Sequence, residues 1–394
     1  MSLKWFSEVS TGSDALEVCI DQVSAQVGEP TLLVAFVSPD LASQAPDRLV
    51  KAFPSATILG CSAAGVIGGG RELEDGSIVS LTAASLPDVA VAPFHMTMGR
   101  LPSLDSPPEA WHALIGVEPE VQPSFLLLPD PFTFEPRVLT AGLDDAYPDA
   151  PKIGGLASGG RRPGESLLML GSPGRVTSHR AGAVGVALYS DVAMDTVVAQ
   201  GCRPVGAPMV ITRSARNHIK ELDGRPVIDT LESLFMSLSD HDQQLFRRSP
   251  MLGLAMEGGR RPLRPGDFLI RNIQGISRRN GAMAIGAIAA DGMVVQFHIR
   301  DADTSTRDLT ELLSRHRRRP DFETPSGGLL FSCLGRGENL YGTTGHDSAI
   351  ITDGLGPVPL GGFFCSGEIG PVHGRTFLHG YTSALGLFRP RGWS

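Results

Sequence analysis

The residues able to do chemistry gather in glycine-rich turns. In Gly361-Gly-Phe-Phe-Cys-Ser-Gly-Glu-Ile-Gly-Pro371 an apolar run gives way to a turn carrying a thiol, Cys365, and a carboxylate, Glu368, with Phe364 and Gly367 beside them. Glycine permits positive φ and close backbone approach, and α/β proteins bind ligands where strands end in such turns. The competing reading is a plain tight turn in which Cys365 is a small buried hydrophobe. Phe331-Ser-Cys-Leu-Gly-Arg-Gly337 is a second such place. There Arg336 would lower the pKa of Cys333, and Glu338 or Glu368 would serve as acid or base; the alternative is an inert thiol closing a buried strand. Gly60-Cys-Ser-Ala-Ala-Gly65 sets Cys61, Ser62 and Gly65 in a third turn. Phe297-His-Ile-Arg-Asp301 ends in opposite charges, Arg300 and Asp301. A planar guanidinium suits a carboxylate and an aspartate suits an amine, so the pair would fit a zwitterion. It would equally fit local structural hydrogen bonds.

Other chemistries lack their signatures. The sequence has no GxxxxGK[ST] and no strand-linked GxGxxG; Gly335-Arg-Gly337 is followed by Leu340 where a third glycine would stand. His298, His346, His373 and His379 are dispersed, without the spacing of a zinc site. No metal and no cofactor is expected. A net charge of −8 argues against a nucleic-acid partner. The basic run Arg315-His-Arg-Arg-Arg319 reads as a helix end complementing the dipole. Five cysteines without a CxxC pair, a beginning without a basic and apolar leader, and no apolar run of the ~18 residues needed to span a bilayer point to a reduced, cytoplasmic protein.

The elements that must position these residues follow a repeated order: strand, turn, connector, strand, glycine turn, strand. It runs through Leu32-Leu-Val-Ala-Phe-Val37, Thr57-Ile-Leu59 and Ser77-Ile-Val-Ser-Leu81. It returns in Ser124-Phe-Leu-Leu-Leu128, Lys152-Ile153 and Ser166-Leu-Leu-Met-Leu170, and again in Leu329-Leu-Phe331, Pro357-Val-Pro-Leu360 and Thr376-Phe-Leu-His379. The Cys-Ser pairs 61–62 and 365–366 suggest how the copies align. Apolar spacing predicts helices over 11–27, with a Thr11/Asp14 capping box, and from Pro226 through Leu238. The fold class expected is α/β (α+β), with two lobes of mixed β-sheets flanked by helices, 1–222 and 223–394, and internal duplication of the strand–helix–strand–glycine turn–strand unit. The glycine turns should lie together at equivalent sheet ends.

Gly60-Cys-Ser-Ala-Ala-Gly65, Arg300-Asp301, Phe331-Ser-Cys-Leu-Gly-Arg-Gly337 and Gly362-Phe-Phe-Cys-Ser-Gly-Glu-Ile-Gly-Pro371 together resemble the FIST family, whose name stands for F-box and intracellular signal transduction. The likeness spans nearly the whole chain, as an N-terminal part to about Leu222 and a C-terminal part beyond it. It implies a sensory module that binds small ligands, amino acids among them, and works with a signalling protein partner. It supplies no catalytic residues. The function expected is ligand sensing without catalysis, in a pocket formed by the turns at 60–65, 333–338 and 364–370. A thiol-dependent enzyme using Cys333 or Cys365 on a small acyl or amino substrate is the first alternative, and a protein-interaction scaffold the second.

Overall fold

The computed structural model describes residues 3–256, 262–277 and 279–392. They form two compact units. The first comprises 1–198, 309–378 and 382–394, and the second 199–308 and 379–381. The division at 222/223 drawn along the sequence falls inside the second unit, between strands His218–Leu222 and Arg225–Pro226.

The first unit is built from three copies of one motif. The first copy has a parallel pair, Leu32–Val37 beside Thr57–Ser62, joined through helices Pro39–Ala42 and Ala45–Ala52. The second pairs Ser124–Pro129 with Lys152–Gly155 through helix Pro136–Ala146. The third pairs Gly327–Cys333 with Leu360–Cys365 through helices Glu338–Tyr341 and His346–Leu355. Long apolar runs make these strands. Leu32–Val37, Thr57–Ser62, Ser124–Pro129 and Leu360–Cys365 are buried at every position, as parallel strands covered on both faces must be. Each pair is extended antiparallel by the last strand of its own copy: Ile78–Ser85, Ala183–Ser190 or Thr382–Arg389.

The other edge of each sheet is filled from a different copy. Val66–Gly68 of the first copy pairs with Leu360–Cys365 of the third. Glu368–Val372 of the third pairs with Lys152–Gly155 of the second, and Leu168–Ser172 of the second pairs with Thr57–Ser62 of the first. The exchange is cyclic, so no copy closes its own sheet. Phe36, Phe331 and Phe363 meet in the shared core, Phe36 stacked on Phe363 with centroids 4.4 Å apart.

One glycine fixes the frame in which the copies align. A Cβ at Gly60, Gly154 or Gly362 would strike the carbonyl oxygen of Ala35, Leu127 or Leu330 on the parallel neighbour. Counting from these glycines makes Ala63, Ala157 and Cys365 equivalent. This corrects the alignment through the Cys-Ser pairs: Cys61 corresponds to Phe363, not to Cys365. Repeated chemistry in the sequence was outranked by backbone packing.

The sequence reading also placed Thr11 at a helix start. Lys4–Thr11 is instead a strand paired along its length with Ile78–Ser85, and the helix is Ala15–Val27. The third copy is interrupted in sequence, between strand Ala193–Gln200 and helix Ala302–Arg317, by the second unit. There, Cys202–Ala215, Val294–Arg300, Pro250–Ala255, Phe268–Ile276, Met283–Ile285 and His218–Leu222 pair in that order. His218–Leu222 pairs back with Cys202–Ala215, closing a barrel. Val205, Ile211, Ile219, Leu252, Val295, Phe297 and Ile299 belong to its core.

Candidate functional site

The turns at 60–65, 154–160 and 364–370 converge in the first unit. Their contacts repeat: Phe364 N donates to Gly65 O (3.0 Å), Leu156 N to Gly367 O (2.9 Å), and Ser62 N to Leu167 O (2.8 Å). A Cβ at Gly65 would lie 2.8 Å from the Phe364 ring, so this approach requires glycine. Ser158, overlooked in the sequence, ties the turns together. Its hydroxyl donates to Phe364 O (2.6 Å) and accepts from Ala64 N (3.0 Å). The Ser62 hydroxyl accepts from Leu167 N (2.9 Å), and Cys61 is buried in the shared core with its thiol pKa pushed up by burial.

The third copy differs from the others at this point. Val66 and Leu168 occupy the positions equivalent to Glu368, as their pairings with Phe363, Cys61 and Gly155 show. Glu368 is fully buried. Its Oε2 accepts from Thr382 N (3.0 Å) and Oγ1 (2.7 Å), and its Oε1 faces the Cys365 thiol at 3.6 Å. Burial raises the carboxyl pKa, while the bonds from Thr382 and the charge of Arg336 oppose that rise. The Cys365 thiol also reaches Ser332 O (3.3 Å), and burial with Glu368 nearby raises its pKa well above the usual value. Cys333 is half-buried at the end of Gly327–Cys333, in register with Cys365.

Arg336, set beside Cys333 by the sequence, has a carboxylate partner in the fold. Arg336 is fully buried and grips Asp347 side-on, Nε to Oδ2 at 2.9 Å and Nη2 to Oδ1 at 3.1 Å. Ser383 Oγ donates to the same carboxylate (2.6 Å), and the guanidinium lies 5.6 Å from the Tyr341 ring centroid. Burial alone would push the Asp347 pKa up; Arg336 outweighs it and holds the carboxyl well below the usual range. Glu338 is exposed, and its backbone N–H donates to Glu74 Oε1 (2.7 Å). Glu72 likewise accepts from Ser348 N and Oγ (both 2.8 Å) at the start of helix His346–Leu355. Two carboxylates from the first copy thus cap helices of the third, where unpaired N–H groups and the helix dipole favour negative charge.

Arg300 and Asp301 lie in the second unit and do not pair with each other. Asp301 accepts from Arg203 Nε (3.0 Å), and from Asp303 N (3.0 Å) and Thr304 Oγ1 (3.1 Å) at the start of helix Ala302–Arg317. Its carboxyl pKa is lowered because Arg203 and Thr304 outweigh burial. Arg203 also holds Asp242. Arg300 lies over Tyr381, 5.2 Å from the ring centroid, and Tyr381 has a φ of +67°, sparsely populated for a residue with a side chain. The Arg300 Nε and Nη2 atoms are buried and have no hydrogen-bond partner among the described residues. In Arg336 the corresponding edge, Nε and Nη2, grips Asp347.

The FIST N domain model matches residues 31–225 and the FIST C domain model residues 229–371. The chain belongs to the FIST family. FIST domains are sensory, ligand-binding modules of signal transduction. An uncharacterized protein of Mycobacterium tuberculosis (strain H37Rv) is 37% identical over 368 residues, 92% of each chain. Another from Mycobacterium bovis is 32% identical over 394 residues, 96% of this chain and 97% of that one. A crystal structure of a cyanuric acid hydrolase from A. caulinodans aligns over 99% of this chain and all of its own, at 8% identity and a TM-score of 0.38; this likeness carries no argument about activity. Among the described residues of this FIST protein, no helix is long and apolar enough to cross a membrane.

Proposed function

We propose that this FIST protein is a sensory module that binds a small carboxylate, amino-acid-like ligands among them, on Arg300 of the second unit, and signals without catalysis. The observation that carries the reading is the buried Nε–Nη2 edge of Arg300, without a hydrogen-bond partner among the described residues. A guanidinium edge kept from water without a hydrogen-bond partner among the described residues is costly, and a carboxylate held bidentately offsets that cost with strong, directional bonds. Tyr381 supplies a flat wall on which the guanidinium stacks. Asp301, first considered for the amine of a zwitterion, is committed to Arg203 and the helix start, so the proposal rests on the acid group alone. Of the two thiols weighed for catalysis, Cys333 and Cys365, the second gains no support, since burial stabilises its protonated form.

Isothermal titration with amino acids, simple carboxylic acids and the matching amides tests the reading. Carboxylates should bind, their amides should not, and Arg300→Met should weaken carboxylate binding by about ten- to a hundredfold while the protein stays folded. A ligand that lacks an acid group, or one held equally well by Arg300→Met, would overturn it.

A further inference from the structure

We infer that Cys333 and Cys365 form an oxidation site at which a peroxide converts two thiols into an intramolecular disulfide. This goes beyond ligand sensing and rests on residues of the first unit. The two cysteines are register partners on parallel strands, and the ladder continues past them, with Leu334 N donating to Cys365 O at 3.1 Å. Neighbouring strands lie about 4.8 Å apart and register partners share a face. That spacing falls within the roughly 4.4–6.8 Å between Cα atoms that a disulfide spans.

Their surroundings assign different roles. Cys333 is half-buried at a strand end and is the more open of the two cysteines, the one at which hydrogen peroxide would arrive. Cys365 is fully buried against Gly155, where even a Cβ would lie 2.9 Å from its sulfur. No added oxygen fits there, so Cys365 acts as the resolving thiol. Its proton acceptor is in place, with Glu368 Oε1 3.6 Å away. The pair is confined to the third copy. Ser38 and Asp130 stand where Cys333 does, and Ala63 and Ala157 where Cys365 does, as the backbone bonds from Ala63 N to Val37 O and Ala157 N to Pro129 O show.

The chemistry balances in two steps. The Cys333 sulfur attacks one peroxide oxygen, the O–O bond breaks, and the departing hydroxide takes the thiol proton, leaving a sulfenic acid and water. Cys365 passes its proton to Glu368 and attacks the Cys333 sulfur. The S–O bond breaks, and the leaving hydroxide takes the proton from Glu368 to form the second water. Two electrons pass from the sulfurs to the peroxide.

The experiment treats the reduced full-length protein with hydrogen peroxide, blocks remaining thiols, digests without reductant and maps the peptides by mass spectrometry. One linked peptide joining Cys333 to Cys365 is expected. Cys365→Ala should lose it and carry Cys333 on to sulfinic acid. Alanine stands at both equivalent positions, so this variant keeps the fold, and an unchanged melting temperature verifies that. Glu368→Gln should slow linkage by about tenfold or more. The inference is overturned if wild-type Cys333 reaches sulfinic acid without the linked peptide, or if Cys333 links only to a second chain.

Discussion

Two arginines, Arg336 in the first unit and Arg300 in the second, keep the same Nε–Nη2 edge away from water. Arg336 closes that edge on Asp347, with Ser383 donating to the same carboxylate. Arg300 has no such partner among the described residues and lies over Tyr381. Burial by itself therefore does not mark a binding residue. A charge whose countercharge comes from its own fold belongs to the scaffold, and one lacking it is the better candidate for a ligand.

The largest effect should come from breaking the filled pair. Arg336→Ala leaves Asp347, which is 2% exposed, with Ser383 and His346 but without its guanidinium. A loss of about 3–5 kcal/mol is expected, the usual cost of removing one partner of a buried ion pair. Urea unfolding of the two proteins measures it. A loss under about 1 kcal/mol would mean that Arg336 is no scaffold residue, and the contrast with Arg300 would collapse.

Acid should separate the two units. His298 in the second unit is 1% exposed, and burial lowers its pKa to about 4, partly offset by its bond to Gln296 O. The unfolded chain binds this proton near pH 6.5 and the folded chain only near 4. Stability of the second unit should therefore fall as pH drops through that window, by up to about 3 kcal/mol, and level off below it. Asp347, whose carboxyl pKa is lowered, contributes stability that is lost only below the ordinary aspartate range; burial also lowers the pKa of His179 and His316 in the first unit, but less than that of His298, so the first unit should lose the smaller part of its stability in the same window. Hydrogen exchange between pH 7 and 4 resolves the units. Equal loss of protection in both would break the comparison.

Removing the unfilled charge should act on binding. Arg300→Met should leave the unliganded protein at least as stable, since it takes away a buried guanidinium edge without a hydrogen-bond partner among the described residues. It should weaken carboxylate binding by roughly 1.5–3 kcal/mol, the scale of hydrogen bonds to charged groups. Urea unfolding beside titration checks both halves. A destabilised unliganded protein would move Arg300 to the scaffold with Arg336.

Much of the fold was legible because local rules decided it. Apolar runs such as Leu32–Val37 and Ser124–Pro129 are parallel strands, and the threefold recurrence of strand and glycine turn is the architecture of the first unit. The cyclic exchange of edge strands was not legible, since pairings such as Val66 with Phe363 join distant segments. The strand Lys4–Thr11 was hidden because polar Ser7 stands at an inward position and apolar Phe6 at an outward one, which breaks the apolar alternation of a half-buried strand. At the site, Arg336 and Glu368 stood out as charges among glycines, but their partners Asp347 and Thr382 are set by tertiary packing. Arg300 and Asp301 looked like a pair because they are adjacent. Arg300 ends strand Val294–Arg300 and lies over Tyr381, while Asp301, just past the strand, accepts from Arg203, so adjacency in sequence did not make them a pair.

The smallest effect is expected at Glu368, and it tests whether a buried carboxylate is needed there at all. Glutamine keeps an oxygen that accepts from Thr382 N and Oγ1, and gives up only the weak acceptor facing the Cys365 thiol. Glu368→Gln should change stability near pH 5 by about 1 kcal/mol or less. The folded carboxyl has a raised pKa, so its stabilising contribution is present below the unfolded value and is lost as pH rises through the folded one. Glutamine does not titrate, so its stability relative to the native protein should improve as pH rises. Glu368→Val copies Val66 of the first copy but leaves both Thr382 donors without an acceptor, and should cost about 1–3 kcal/mol. Thermal melts at several pH values distinguish the cases. If glutamine costs as much as valine at every pH, the negative charge itself supports the fold, and Glu368 joins Asp347 among the filled charges of the scaffold.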